Sequence, residues 1–133
     1  MKHAYLADTQ IVIWSIVKPS RITASVQSIL LDNPIWVSEI SLFEIVIKQK
    51  IGRLPELRLS IQDLTAQLHA DGFHLVPIKQ EHIAAYEQIP LFDHHRDPFD
   101  RLLLATALAE GVPVISADEN FHLYAPKIHL IKA

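Results

Sequence analysis

The sequence predicts an α/β fold in which a parallel sheet is covered by helices on both sides. Two observations carry that expectation. Five short β-rich runs alternate with stretches of helical periodicity along the chain. Hydrophobic residues make up 50% of the 133 positions, and the mean hydropathy is +0.19. Such richness in a small protein points to nearly continuous apolar strands buried on both faces, or to a surface covered by a partner. The length suits a single domain over residues 1–133 and is too short for two.

The elements follow in order. His3 to Ala7 reads as the first strand, and Thr9 to Val17 as a helix that Lys18-Pro19 ends. Ile22 to Leu31 reads as a second helix closed by Asp32-Asn33-Pro34, and Ile35-Trp36-Val37 as the second strand. Ser38 to Ile51 has helical spacing and stops at Gly52, a natural C-cap. Leu54-Pro55 breaks the chain before a helix from Ser60 to His69, ended by Asp71-Gly72. Phe73 to Ile78 is the third strand, Gln80 to Gln88 a helix, and Pro90 to Asp97 a loop. Asp97-Pro98 opens a helix running to Glu110, with proline at its first position and Gly111 past its end. Val112 to Ser116 is the fourth strand, Asp118 to Tyr124 a short helix, and Ile128 to Ile131 the fifth strand.

Composition bounds the function. No cysteine is present, so disulfides and thiolate metal sites are excluded. The longest apolar runs, such as Ile11-Val12-Ile13-Trp14, fall far short of the ~20 residues a membrane span needs. Met1 to Ala7 meets Asp8 too early to read as a secretory signal, and the expected location is cytoplasmic, with no membrane partner. The formal net charge is −3, so binding of nucleic acid by wholesale phosphate neutralisation is not expected. Any such contact must be local, with cations offsetting the acidity of the site.

In parallel sheets, sites form at the carboxyl ends of the strands, and acids stand there in this sequence. Asp8 directly follows the first strand. As a lone Asp it suits a helix cap, yet Thr9 beside it can cap equally well. Glu44 shares a helix face with Ile40, Ile47 and Ile51, and a carboxylate on an apolar stripe is expensive to bury without compensation. Its ordinary readings are a capping box with Ser41 or an ion pair with Lys48 one turn on. Asp97 suits the N-cap of its helix. Asp100 shares the core face of that helix with Leu103, Leu104, Ala107 and Leu108, whereas Arg101 points elsewhere. Asp118 follows the fourth strand after Ala117 and also suits a cap; Ser116 stands one pleat earlier, able to orient a carboxylate or a water.

Each acid alone has an innocent explanation. Gathered at one end of one sheet, they repel by something on the order of several kcal/mol unless cations lie between them. Oxygen-only ligands select Mg²⁺ or Mn²⁺, ions that activate water and clamp a phosphate, so the expected chemistry is phosphodiester hydrolysis.

Four blocks then carry a resemblance: Tyr5-Leu6-Ala7-Asp8-Thr9; Ser38-x-x-Ser41-x-Phe43-Glu44-Ile45-x-Ile47-Lys48; His95-Arg96-Asp97-Pro98-Phe99-Asp100-Arg101-Leu102-Leu103-x-Ala105; and Ser116-Ala117-Asp118-x-x-Phe121. In order and spacing over nearly the whole chain they resemble the PIN-domain VapC toxins of prokaryotic toxin–antitoxin pairs. The resemblance implies an α/β/α sandwich with a five-stranded parallel sheet, and often a homodimer. It places an acidic metal-binding and catalytic quartet on Asp8, Glu44, Asp100 and Asp118; Thr9, Lys48, Asp97 and Ser116, which stand beside these acids in the sequence, are the candidate supporting residues. It further implies a Mg²⁺- or Mn²⁺-dependent ribonuclease acting on structured RNA such as tRNA, silenced by a cognate antitoxin inserted in the active-site groove. Gln10 and Phe43 depart from the His and Trp common in this subgroup, and neither removes a member of the quartet.

Other residues have plainer readings. His94-His95-Arg96, next to Asp97, could contact a phosphate near the site, but the favoured expectation is a solvated loop; a histidine-based metal site is not expected because adjacent histidines project apart. Trp14 and Trp36 read as core or interface aromatics. The apolar positions 57, 61, 64 and 68 suit either internal packing or a partner. Among rival functions, an aspartyl-phosphate phosphatase commonly has a second Asp two residues after the first, where Gln10 stands, and no Gly-x-Ser-x-Gly elbow supports a serine hydrolase. The rival from another class is a catalytically silent PIN-fold module that binds RNA or protein; a degenerate copy of that kind is expected to have lost at least one acid.

Overall fold

The structure is a computed structural model describing residues 3–133. Its five strands are β1 (Tyr5–Ala7), β2 (Ile35–Ser38), β3 (Phe73–Val76), β4 (Val114–Ser116) and β5 (Leu130–Lys132). They form one sheet in the order β3-β2-β1-β4-β5. Every pairing is parallel, and the central strand places Leu6 opposite Trp36 on one side and Val114 on the other. Six α-helices accompany it: α1 (Thr9–Val17), α2 (Ala24–Asp32), α3 (Glu39–Lys50), α4 (Ile61–Ala70), α5 (Gln80–Tyr86) and α6 (Pro98–Glu110). Short 3-10 turns cover Pro19–Arg21 and Glu119–Tyr124.

Most differences from the sequence expectation lie at element ends. The second helix starts two residues later than its apolar pattern, because Gln27 donates its side-chain amide to the Pro19 and Ile22 carbonyls and Pro19–Arg21 winds as a 3-10 turn first. The segment after Asp118 is 3-10 instead of α, six residues being too few to gain much from α-helical cooperativity. The helix α3 ends at Lys50, so Ile51, expected on its apolar stripe, is exposed. Gly111 takes the left-handed conformation that closes α6 (φ 66°).

Two cores lie on opposite faces of the sheet. On one side Ala7, Ile35, Val37, Phe73 and Ile115 pack with Ile11 and Val12 of α1, Val26 of α2, and Leu64 and Leu68 of α4. On the other, Leu6 and Val114 pack with Leu103, Leu104 and Ala107 of α6, Ala85 of α5, and Phe121 and Tyr124. Successive residues of β1 thus serve different cores, which is why its short sequence is apolar throughout. The result is the expected three-layer α/β/α sandwich. Leu54, Leu57, Leu64 and Leu68 are all buried in the first core, so this stretch packs internally.

The strand order fixes where a site can form. The chain proceeds outward from β1 through β2 to β3, then returns to lay β4 on the other flank of β1. The reversal leaves a crevice above the carboxyl ends of β1 and β4. At those two strand ends stand Asp8, one position past β1, and Ser116, the last residue of β4, followed by Ala117 and Asp118.

Because Leu64 is fully buried against the sheet, Leu64→Ala is expected to cost about 2–5 kcal/mol through lost burial and the residual cavity. Urea unfolding checks this, and the loss is expected to be independent of protein concentration, as internal packing requires.

Candidate metal centre

The site is built outward from Asp8. With 4% of its surface exposed, its side chain does two jobs. Oδ1 accepts the backbone N–H of Ile11 at 2.8 Å, capping α1, and Oδ2 accepts the hydroxyl of Ser116. Thr9 does not cap; its hydroxyl donates to Ser41 Oγ at 2.9 Å and ties α1 to α3. Ser116 Oγ also accepts the backbone N–H of Asp118 at 3.0 Å, while the Asp118 carboxylate caps the following 3-10 turn through Asn120 N at 2.9 Å. Ser116 thus orients the carboxylate of Asp8 and the backbone of Asp118 from one position.

The other wall comes from α3 and α6. Ser38 caps α3 through Ile40 N at 3.1 Å, so the helix starts too early for Ser41 and Glu44 to form a capping box. Glu44 is instead paired through Oε2 with Lys48 Nζ at 3.3 Å. Its Oε1 is buried and has no hydrogen-bond partner among the described residues. Asp97 is the N-cap of α6, accepting from Phe99 N at 2.8 Å and Asp100 N at 3.4 Å. That leaves the Asp100 side chain free of capping duty.

Asp8, Glu44, Asp97, Asp100 and Asp118 line one cavity of about 380 Å³, together with Thr9, Gln10, Trp14, Lys48 and Ala117. All four acids of the expected quartet are therefore on the walls of a single space, and Asp97, Thr9 and Lys48 are there with them. Ser116 stands behind Asp8. Lys48 is the cation among the lining residues. Arg101, as expected, turns away: it lies over the Tyr86 ring at 4.6 Å and donates to Tyr86 Oη and to the Ile89 and Pro90 carbonyls.

One expectation fails here. His94 is exposed, but His95 is buried, at 5% exposure. Its Nε2 lies 3.1 Å from Asp100 Oδ2 and its Nδ1 lies 2.6 Å from Tyr124 Oη. The two histidines do project apart, yet only one of them faces solvent. His95, Asp100 and Asp118 each present a ligand atom within 4.8 Å of the others. No spacing rule flags a histidine five residues before Asp100 in an irregular loop; the signal is tertiary.

Electrostatics agree with the geometry. Burial, above all, pushes the Asp8 carboxyl up to about 7, with the nearby charges of Asp100 and Asp118 adding to it against the hydrogen bonds from Ser116 and Ile11. Burial likewise raises Asp100 to about 6, helped by Asp97 and Glu44 and opposed by His95. The cluster is short of positive charge. A buried unpartnered carboxylate oxygen, two carboxyls that burial makes harder to ionise and a lining rich in carboxylates fit a hard divalent cation.

A carboxyl whose pKa is higher in the folded than in the unfolded chain favours folding in its protonated form. That contribution is complete below pH ~4 and is lost as pH rises through 6 to 7 for Asp100 and Asp8. In EDTA, Tm is therefore expected to fall between pH 5 and pH 8, and Mg²⁺ or Mn²⁺ to raise it more at pH 8 than at pH 5. Asp100→Asn removes one of the repelling charges, and its Tm in EDTA at pH 8 is expected to be no lower than that of the unaltered chain; a large drop would mean that Asp100 serves the fold and not a cation.

A model of the PIN domain family matches residues 5–126. No curated protein matches the chain in sequence. Among solved structures the chain is similar to VapBC2 from Rickettsia felis bound to a promoter DNA fragment, at 15% identity over 97% of this chain and 98% of that one, with a TM-score of 0.67. It is similar also to FitAcB from Neisseria gonorrhoeae, at 21% identity over 96% of each chain and a TM-score of 0.64. A third is DNA-bound VapBC from Salmonella typhimurium, at 15% identity over 99% and 98% and a TM-score of 0.66. With the family model spanning all five acids and four of the five strands, the chain belongs to the PIN domain family.

Proposed function

We propose that the protein is a Mg²⁺- or Mn²⁺-dependent ribonuclease, and that Asp8, Glu44, Asp100 and Asp118 are its metal-binding and catalytic residues. The observation that carries this reading is the single cavity lined by all four carboxylates, among them Glu44, whose Oε1 is buried and unpartnered. When bound, a divalent ion neutralises phosphate charge and makes water a nucleophile near neutral pH. The chain's own part is positional. Ser116 and the α1 N-terminus hold the Asp8 carboxylate, and Lys48 stands at the cavity wall as a cation for a phosphate. Gln10 and Trp14 line the same space, where the amide can hydrogen-bond and the indole can stack on a base. The net charge of −3 fits a binding mode in which the attraction for a polyanion is local to the site and supplied largely by cations.

The biological reading is a toxin of the VapC type, acting on structured RNA such as tRNA, held silent in the cytoplasm by a cognate antitoxin. The similar structures support it, since several are VapBC pairs and one is described as a toxin–antitoxin complex. Among the described residues no helix is long and apolar enough to cross a membrane. A homodimer is the proposed assembly. Phe43, Val46 and Ile83 are exposed on α3 and α5, Phe43 and Phe99 meet at 6.0 Å, and an apolar hollow of about 300 Å³ lies between Ile40, Ile83, Tyr86, Pro98, Phe99 and Leu102. Patches of this kind mark interfaces.

The deciding experiment incubates antitoxin-free protein with total RNA and Mg²⁺ or Mn²⁺, with and without EDTA, beside Asp8→Asn and Asp100→Asn. Cleavage is expected only with metal, and at least about 100-fold slower in either variant. EDTA-resistant cleavage, or equal cleavage by the variants, defeats the proposal. Sedimentation velocity tests the assembly: a dimer is expected that Phe43→Asp converts to monomer, and a chain that is monomeric throughout the micromolar range overturns it.

A further inference from the structure

We infer that His95 is a positioning residue for the cation site, acting through Asp100, with Tyr124 setting its tautomer. This rests on reading the cavity as a metal centre. The geometry is a chain of three groups. Tyr124 Oη lies 2.6 Å from His95 Nδ1, and His95 Nε2 lies 3.1 Å from Asp100 Oδ2. Asp100 as a carboxylate only accepts, so Nε2 carries the proton, and in the neutral imidazole Nδ1 is then the acceptor. The phenol of Tyr124 then donates to Nδ1. Burial raises the pKa of Tyr124, which keeps its hydroxyl proton in place.

The imidazole has little freedom to do anything else. It is 5% exposed, and its ring packs against Phe121 at 5.8 Å and edge-on to Tyr124 at 5.5 Å. Its backbone N–H bonds to the Phe92 carbonyl at 3.1 Å, so the loop between α5 and α6 turns the side chain inward. Arg101, in the second turn of α6, anchors the start of that loop through the Ile89 and Pro90 carbonyls. The loop is thus tied at both ends to the helix that carries Asp100. The outcome is an Asp100 carboxylate with Oδ2 fixed by a donor and Oδ1 left for the cavity. Groups placed in this way behind a metal-binding side chain commonly change affinity about 10–100-fold when removed.

The donor is the part that matters, and variants separate it from packing. Glutamine can place its amide N–H where Nε2–H stands, without reaching Tyr124. Alanine removes both bonds. Tyr124→Phe keeps the ring and deletes the proton that selects the tautomer. Titration calorimetry with Mn²⁺ is expected to show an affinity about 10-fold or more weaker for His95→Ala, within about 3-fold of the unaltered chain for His95→Gln, and intermediate for Tyr124→Phe. RNA cleavage at saturating Mn²⁺ is expected to lose kcat in the same order with KM within about twofold. If His95→Ala fails to fold, the ordering of His95→Gln above Tyr124→Phe carries the test alone.

Three results overturn the inference. In one, all variants bind Mn²⁺ like the unaltered chain while only Tm falls, so that His95 is mere core. In another, His95→Gln is as weak as His95→Ala. In the third, pulsed EPR of the Mn²⁺-loaded protein shows nitrogen coupling that His95→Gln abolishes, which makes His95 itself a ligand. A chain that binds Mn²⁺ with the expected ordering but cuts no RNA sinks the ribonuclease reading and leaves this one standing. Absence of any Mn²⁺ binding removes both.

Discussion

Everything in this molecule is arranged around one electrostatic problem: carboxylates held together at the edge of an apolar sheet with too little positive charge to balance them. Asp8 is the sharpest case. It sits at the end of a strand whose residues are buried on both faces, and its two oxygens are committed to Ile11 N and Ser116 Oγ. Those bonds orient the group without neutralising it, and burial still pushes its carboxyl up to about 7. A fold that needed only a cap for α1 has Thr9 adjacent, and the structure uses Thr9 to hold Ser41 instead. The acid is kept where a neutral residue would be cheaper, which is the usual mark of a functional position.

The two-sided core makes this placement possible. Leu6 and Ala7 point into different cores, so β1 is clamped from above and below and its end cannot move toward solvent to relieve the charge. The helices α3 and α6 then close over the crevice from the side, each turning one acid, Glu44 or Asp100, to the cavity and each capped by a different residue, Ser38 or Asp97. Division of labour between cap and site is the recurring device: Asp97 takes the backbone donors of α6, leaving the Asp100 side chain to face inward.

Much of this was legible in the sequence, for identifiable reasons. Strand and helix periods differ sharply, and punctuation by Pro19, Pro34, Gly52, Gly72 and Gly111 marks the boundaries, so the element order is plain. Asp100 was placed by its face on α6, and Asp8 and Asp118 by following strands. What escaped was whatever depended on a loop's path. His95 looks like a surface residue because its neighbours His94 and Arg96 are exposed, and nothing in local spacing says that the chain turns one side chain of the three inward. Tyr124 escaped for the same reason. The fate of Leu54 to Leu68 was equally undecidable, since an apolar helix face reads alike whether it meets its own sheet or another protein.

Arg101 has a consequence for how this region can vary. It is a buried cation with no carboxylate partner among the described residues, held by two loop carbonyls and the face and hydroxyl of Tyr86. A guanidinium spans those acceptors, whereas a lysine ammonium at that position cannot bridge them in one plane. The loop it fastens therefore has an anchored root and an inward-turned His95, with Asp93, His94 and Arg96 facing out. Those three exposed side chains make no hydrogen bond or ion pair among the described residues, so a substitution at any of them leaves the anchored loop and the cavity floor in place.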